Sequence, residues 1–351
     1  MSGKGSARGK GTLVRVDYHS DLKEVQSDGQ LARLLSDACQ HAPFDRLAWW
    51  DALATHCGIA PLLAVAKGSG DAMAVLPLSG HSGHLNALSN WYTFRFRPVL
   101  SADDAPLDAL ARDLASRAHR ITLSGLPDED GSASALEAAF RNAGWLVRRE
   151  VCDTNHILPL VGRSYDEYLA ARPGKLRTTL KRKSGKVTTR IVTHFDAAAW
   201  AEYESIYAES WKPEEGSPDF LRAFAKAEGA AGRLRLALAH DAADREAPAI
   251  AAQMWTVEGG TAFIHKLAHR EAAKPLSPGS VLTAALMRHV IDTDRVSLID
   301  FGTGDDPYKR DWMEQQRPRY RLHIFRPLAA RNWPVLAKIA LLSLAARLKH
   351  R

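Results

Sequence analysis

The chain has 351 residues, 46% of them hydrophobic and 25% charged, and 47 Lys and Arg against 40 Asp and Glu give a formal charge of +7. This is ordinary globular composition with enough apolar mass for a real core, and the length favours two domains because single cores stop growing at roughly 250–300 residues. The absence of any run of about 18 apolar residues excludes a membrane-spanning helix, while the charge excess admits a polyanionic partner such as nucleic acid, a membrane surface or a phosphorylated ligand.

The start, "MSGKGSARGKG", is basic and glycine-rich and has no apolar stretch of the signal-peptide type. Cys39, Cys57 and Cys152 are far apart, match no metal spacing and suit a reducing compartment, so a cytoplasmic protein is expected. Residues 1–20 read as a flexible basic arm leading into a first strand. Residues 28–58 read as two helices with a turn near Pro43; Phe44, Leu47 and Trp50 recur at helical spacing and Gly58 is a stop signal. "PLLAVAKGSGDAMAVLPLSGH" is a hairpin around Gly-Ser-Gly-Asp. A helix over 105–119, a strand over 120–127, a helix over 134–144 and a strand over 145–160 complete a mixed α/β domain spanning 21–160.

A basic connecting helix is expected over 161–190, carrying Arg172, Lys175, Arg177, Lys181, Arg182, Lys183 and Lys186. A helical charge run reads either as a solvated face or as a contact with tRNA, CoA phosphates or an acidic sugar polymer. A second α/β domain follows over 191–328. Its strand "TTRIVTHF" and helix "AAAWAEYESIYAESW" lead to three strands in a row, "RLRLALAHD", "APAIAAQMWTVEGG" and "TAFIHKLAH", the last two joined by the hairpin signal Gly259-Gly260. Then come the helix "SPGSVLTAALMRHVIDT" and the strand "VSLIDFG". Residues 329–351 read as an amphipathic basic tail helix with Lys338, Arg347, Lys349 and Arg351, too short and too charged to span a bilayer. It either lies on an anionic inner leaflet with Trp333 at the interface or docks on the protein's own surface.

In the helix that opens at "SPGS", Ser277 can cap and Pro278 suits the first position, where its missing N–H costs nothing. Leu282, Leu286 and Val290 form an apolar stripe, and Gly279 leaves the first turn uncovered. Such a terminus can cradle a pyrophosphate with free N–H groups and the helix dipole; it reads equally as an ordinary capped helix.

The segments "LSPGSVL" and "DFGTGDDPYKRDW", in the order hairpin, helix, strand, acid-rich turn, resemble the GNAT-type acyl-CoA transferases, and more narrowly the branch of CelD-like polysaccharide-cluster proteins and FemAB aminoacyl transferases. The match covers roughly 160–325; "FDRLAWWDAL" and "ITLSGLPDEDGSASALEAAFRNAGW" match the family's degenerate amino-terminal half more weakly. The resemblance implies two tandem GNAT-like domains, each a mixed, mainly antiparallel sheet flanked by helices. It also implies acyl-CoA, acetyl-CoA first, as co-substrate in the second domain, with Ser277, Pro278, Gly279 and Ser280 on its phosphates. The usual phosphate loop is richer in Arg, Gln and Gly than "SPGS", and FemAB-like relatives use aminoacyl-tRNA instead.

Acyl transfer needs a polarised carbonyl, a deprotonated nucleophile and a protonated leaving group. Thr261, Phe263, His265, Leu267 and His269 share one strand face. His265 reads as a base near neutral pH or as a satisfied core histidine. A metal shared by His265 and His269 is excluded because four strand residues span roughly 13 Å, and no metal is expected. Asp300, at the end of a buried strand, either binds its own turn or orients and deprotonates the acceptor. Asp305 and Asp306 cap a helix beginning near Pro307, with one of them able to face a cleft. By resemblance, Tyr308 protonates the leaving thiolate; otherwise it packs on the sheet. Lys309 and Arg310, with Asp305, are the substrate-binding candidates, toward phosphate or an anionic acceptor. The function expected is transfer of an acyl group from acyl-CoA to an amine or hydroxyl of a sugar or polysaccharide precursor or a small amino metabolite. A FemAB-like transferase fed by aminoacyl-tRNA and a non-catalytic tandem GNAT module in polysaccharide synthesis are the alternatives.

Overall fold

The computed structural model describes residues 14–102, 106–210, 212–244, 246–339 and 341. Among the described residues, thirteen strands form one sheet. They are β1 (Arg15–His19), β2 (Pro61–Lys67), β3 (Met73–His81), β4 (His84–Ala87), β5 (Val99–Leu100), β6 (Arg120–Leu126), β7 (Leu146–Pro159), β8 (Val187–Val192), β9 (Leu234–Asp241), β10 (Ala251–Glu258), β11 (Thr261–His269), β12 (Leu298–Thr303) and β13 (Gln315–Phe325). The order is β1-β2-β3-β4-β6-β13-β7-β12-β11-β10-β9-β8, with β5 on β3.

Read inward from β1, the pairings are three antiparallel, one parallel (β4 with β6) and one antiparallel. Read inward from β8, they are the same, with β11 and β12 as the parallel pair. The two halves therefore repeat one mixed, mainly antiparallel design, and β13 and β7 pair antiparallel along its centre. The boundary expected near 160 falls at the end of β7, but β13, from the carboxy-terminal segment, is the neighbour that completes the amino-terminal strands. Sequence order and spatial order part company there.

Alternation along the strands divides the core. Leu234, Leu236 and Leu238 of β9 and Met254 of β10 face one side, where helices Leu47–Cys57, Ala197–Ala208 and Pro218–Ala230 cover them. Ala237, Ala239 and Trp255 face the other side, under helices Gly174–Lys183 and Pro278–Arg288. The first cluster crosses between the halves: Trp49 meets Phe220 and Phe224 edge-on at 5.0 and 5.1 Å. Buried Arg46 pairs with Glu228 and Glu258 across the same junction. Burial on this scale, at about 25 cal/mol per Å2 of apolar surface, binds the halves into one body.

Gly259 and Gly260 have φ of +52° and +72°, the positive values that a two-residue hairpin turn of this kind demands, and Glu258 faces Thr261 across it. The basic connector is two helices, Tyr165–Ala170 and Gly174–Lys183, interrupted at Pro173. β1 lies within the segment expected as an arm; residues 1–13 fall outside the described residues. The tail is helical over 333–339, and Asn332 Nδ2 ties its start to the carbonyls of His119 and Arg326 at 2.7 and 2.9 Å. Arg347, Lys349 and Arg351 of the expected tail helix lie outside the described residues. No helix among the described residues is long and apolar enough to cross a membrane.

Candidate functional site

β11 and β12 pair at Thr261–Leu298, Ala262–Ile299 and Phe263–Asp300, and no further. Beyond that rung the strands part. The register of β11 against β10 shifts between Met254 and Trp255, which face Lys266 and Ile264, so His265 is the extra residue of a β-bulge. The divergence leaves the backbone of β11 past Phe263 unpaired on its β12 side, and it opens a gap in an otherwise continuous sheet.

Two cavities meet at that gap. One, of about 300 Å3, lies on the face of helix Pro278–Arg288 and is lined by Ser277, Pro278, Gly279, Ser280, His269 and Lys274. The other, of about 330 Å3, lies on the face shared by the two halves and is lined by Trp91, Tyr92, Phe94, Lys212, Lys266 and Asp306. Leu267 and Tyr308 line both.

On the first face, Ser277 occupies the N-cap position in the left-handed conformation (φ +52°) with no side-chain cap bond, so the expected capping by Ser277 is replaced by an open terminus. Gly279 is where space matters. A Cβ there would meet only the His269 ring, at 3.7 Å, so the first turn is accessible to a ligand. The N–H groups of Gly279 and Ser280 and the positive end of an eleven-residue helix face this cavity, a donor set that fits a pyrophosphate.

Asp300 is buried and braces its own turn. Its Oδ1 accepts from Asn155 Nδ2 at 2.7 Å and from the Gly302 amide at 2.8 Å. Arg319 Nη2 donates to Asn155 Oδ1 at 2.8 Å and Arg319 Nη1 reaches Glu129 at 3.0 Å. Gly302 has φ +66°, and a Cβ on it would meet the Phe94 ring at 3.0 Å. Asp300 does not line either cavity; of its two expected roles, the structure gives it the bracing one.

His265 lies on the wall of the second cavity, and of its two readings its surroundings favour the satisfied core histidine. Its Nε2 lies 2.8 Å from Thr256 Oγ1, and the rings of Phe44, Phe94, Phe224 and Phe263 surround it. Burial, helped by the neighbouring Lys266 charge, lowers its pKa to about 3, so it is neutral at physiological pH. Asp305 and Arg310 pair with each other at 2.5 Å in solvent, with His156 Nε2 3.3 Å from Asp305, and neither lines either of these two cavities. Neither Asp305 nor Asp306 caps the short helix Lys309–Trp312, whose N-cap position belongs to Tyr308. Lys309 does reach the second cavity; its Nζ donates to the Thr303 carbonyl, and burial lowers its pKa. Asp306 lines the second cavity. Tyr308 stands 40% exposed at the junction, edge-on to Phe301, and the partial burial of its ring, with Asp306 nearby, pushes its phenol up.

Sequence reasoning missed the rest of the second cavity's wall. Lys266 is buried with its Nζ 3.0 Å from Glu215, and Tyr92 donates to the same carboxylate at 2.5 Å. The ammonium lies 3.8, 4.6 and 5.4 Å from the ring centres of Trp91, Tyr92 and Tyr207. Burial lowers the Lys266 pKa to about 8 against the pull of Glu215. A lysine set inside the apolar run "TAFIHKLAH" was the available signal. Trp91, Tyr92 and Phe94 gave none, because they come from the amino-terminal half. There the parallel pair β4–β6 has no matching gap: the chain returns so that the Phe96 amide bonds the Gly125 carbonyl at 3.0 Å, and Phe96 is buried. The segment that closes one half's opening walls the other half's cavity. No cluster of three or more potential metal ligands occurs among the described residues.

Residues 174–310 match the acetyltransferase (GNAT) domain family model. That stretch contains the open helix terminus, β11, β12 and Tyr308. In fold the chain is similar to the C-terminal domain of a putative lysylphosphatidylglycerol synthetase from Agrobacterium fabrum, with a TM-score of 0.57 and 12% identity over 92% of this chain and 97% of that one. It is similar to FemX, with a TM-score of 0.57 and 12% identity over 88% and 98%. A tandem GNAT protein from the clavulanic acid biosynthesis pathway gives 0.52 and 12% over 88% and 98%. A search of the curated proteins finds no match.

Proposed function

We propose that this protein is a tandem GNAT acyltransferase that moves an acetyl or other acyl group from acyl-CoA to an amine or hydroxyl of a sugar precursor or small amino metabolite. The observation that carries the reading is the parting of β11 and β12 after Phe263–Asp300, with a phosphate-competent cavity on one sheet face, a polar and aromatic cavity on the other, and Tyr308 between them. Two cavities meeting at a gap in the sheet favour a catalyst over a silent binding module.

In this reading Gly279 and Ser280 hold the donor's pyrophosphate through backbone N–H groups. The thioester supplies the activated acyl group. The unpaired backbone edge of β11 beyond the bulge polarises its carbonyl, since N–H groups fixed in place cost no reorganisation during reaction. Asp306, the carboxylate on the wall of the second cavity, receives the acceptor's proton. Tyr308, a phenol pushed up by partial burial and by Asp306 beside it, gives a proton to the departing sulfur.

Thermal shift with CoA and acetyl-CoA tests the donor. A ligand at a hundred times its Kd adds about 2.7 kcal/mol of stability by mass action, a readily measured rise in Tm. Saturable shifts that disappear in Gly279→Asp support the reading; no shift with any CoA ester rejects it. One feature favours an aminoacyl-tRNA donor as a second reading. The exposed basic helix Gly174–Lys183 borders the donor-side cavity, to which it contributes Leu176, and Lys183 Nζ bonds the Pro275 carbonyl at 2.7 Å. A steeply salt-dependent complex with aminoacyl-tRNA and none with CoA would promote that reading.

A further inference from the structure

We propose that the second cavity is built for an acceptor bearing an anionic group, a carboxylate or a phosphate, held by Lys212, Lys266 and Lys309. The proposal rests on the acyltransfer reading only in calling that cavity the acceptor side. The wall carries three lysines against one carboxylate, Asp306, among its described residues, and His265 beside them is neutral. Glu215 stands behind Lys266, bound to it and to Tyr92, and does not line this cavity.

Lys266 and Lys309 are 7% and 5% exposed, and Lys212 is half-buried. An ammonium taken out of water is costly unless a counter-charge compensates it. Burial works against the charged form of all three, and the nearby carboxylates only partly restore it. A ligand anion in this cavity would add charge-assisted hydrogen bonds, about twice as strong as neutral ones, to the contacts the lysines already make. The faces of Trp91, Tyr92 and Tyr207 fix the Lys266 head, so little side-chain entropy remains to be lost on binding. A volume of about 330 Å3 suits a small metabolite. The lysines are separate from the donor's phosphate site, which lies on the opposite face of the sheet, beyond Leu267 and Tyr308.

The test uses inorganic phosphate and succinate as probes on the full chain, by thermal shift at constant ionic strength. Titrations are run with and without saturating CoA, which competes away phosphate bound at the helix terminus. The expected result is saturable stabilisation that survives CoA, weakened at least tenfold in Lys212→Met and unchanged in Lys23→Met, an exposed control. Lys266→Met strips Glu215 of its counter-charge, so it is made with Glu215→Gln, and this pair is expected to weaken both probes as well. Absent stabilisation in the wild type, or stabilisation equal in wild type and Lys212→Met, overturns the proposal. CoA affinity measured on Lys212→Met is expected to be unchanged, so loss of the donor site and loss of the anion site read out separately. Succinyl-CoA bound at least tenfold tighter than acetyl-CoA, with the preference lost in Lys212→Met, would assign the anion to the acyl group and overturn the acceptor assignment.

Discussion

Phe263 and Asp300 form the last rung of the parallel ladder between β11 and β12. Phe263 packs into the core shared by the two halves, and Asp300 ties the following turn through Asn155 and the Gly302 amide. The rung is held firmly on both sides, and the strands separate immediately after it. The position of Tyr308 at the gap depends on that turn.

Tyr308→Phe keeps the ring against Phe301 and removes the proton. We expect kcat to fall by roughly 10^2-fold or more, within the range for a lost general acid, with CoA affinity unchanged. Steady-state kinetics together with direct CoA titration check this, and full kcat would remove the assigned role.

Gly279→Asp places a carboxylate at a helix N-terminus, where the dipole favours negative charge, so Tm is expected to hold or rise slightly. The same charge faces the donor's phosphates, so CoA binding is expected to weaken at least tenfold. Gly279→Ala, whose Cβ would meet only the His269 ring at 3.7 Å, is expected to bind CoA nearly as the wild type does. Weakening by Ala equal to that by Asp would point to shape rather than charge.

Asp300→Ala leaves the Gly302 amide without its acceptor and removes one of the two acceptors of Asn155 Nδ2, which keeps the Gly302 carbonyl at 3.1 Å, a loss of about 1–3 kcal/mol. Calorimetry is expected to find Tm lowered by several degrees, with activity falling as the turn loosens. Asp300→Asn keeps an acceptor oxygen and is expected to lose less of both. An unchanged Tm in the alanine variant, with activity lost, would return Asp300 to a direct chemical role.

The pH profile separates the two neighbours on β11. His265 is neutral above about 3, so kcat/KM is expected to carry no break from it near 6.5. Lys266 is charged below about 8 and loses its proton as pH rises through that value, so affinity for an anionic probe is expected to fall there. The matched comparison is Lys266→Met with Glu215→Gln, in which that break should vanish.

The elements closest to local chemistry were readable in the sequence. Gly259-Gly260 announced its hairpin, Pro278 and Gly279 the open helix, and "DFGTGDDPYKRDW" the turn at the gap. The strand Gln315–Phe325 was not readable: its polar start and Pro318 argue against a place inside a sheet. Pro318 is tolerated because it sits beyond Tyr320–Phe325, the stretch paired to β6. The fates of His265 and Asp300 hinged on burial and on partners such as Asn155, more than a hundred residues away in sequence, which no local pattern encodes. The same holds for Lys266, whose cage is assembled from Trp91, Tyr92 and Tyr207.

The seat of β13 between β6 and β7 bears on how the molecule is made. On a ribosome working at roughly 5–20 residues per second, residues 315–325 emerge some ten to thirty seconds after β7. Until then β6 has an unfilled flank, open to pairing with a neighbouring nascent chain. Expression of residues 1–160 alone would leave that flank permanently bare, and such a fragment is expected to aggregate. A split version should recover only when the second piece, with its late strand, is supplied in trans.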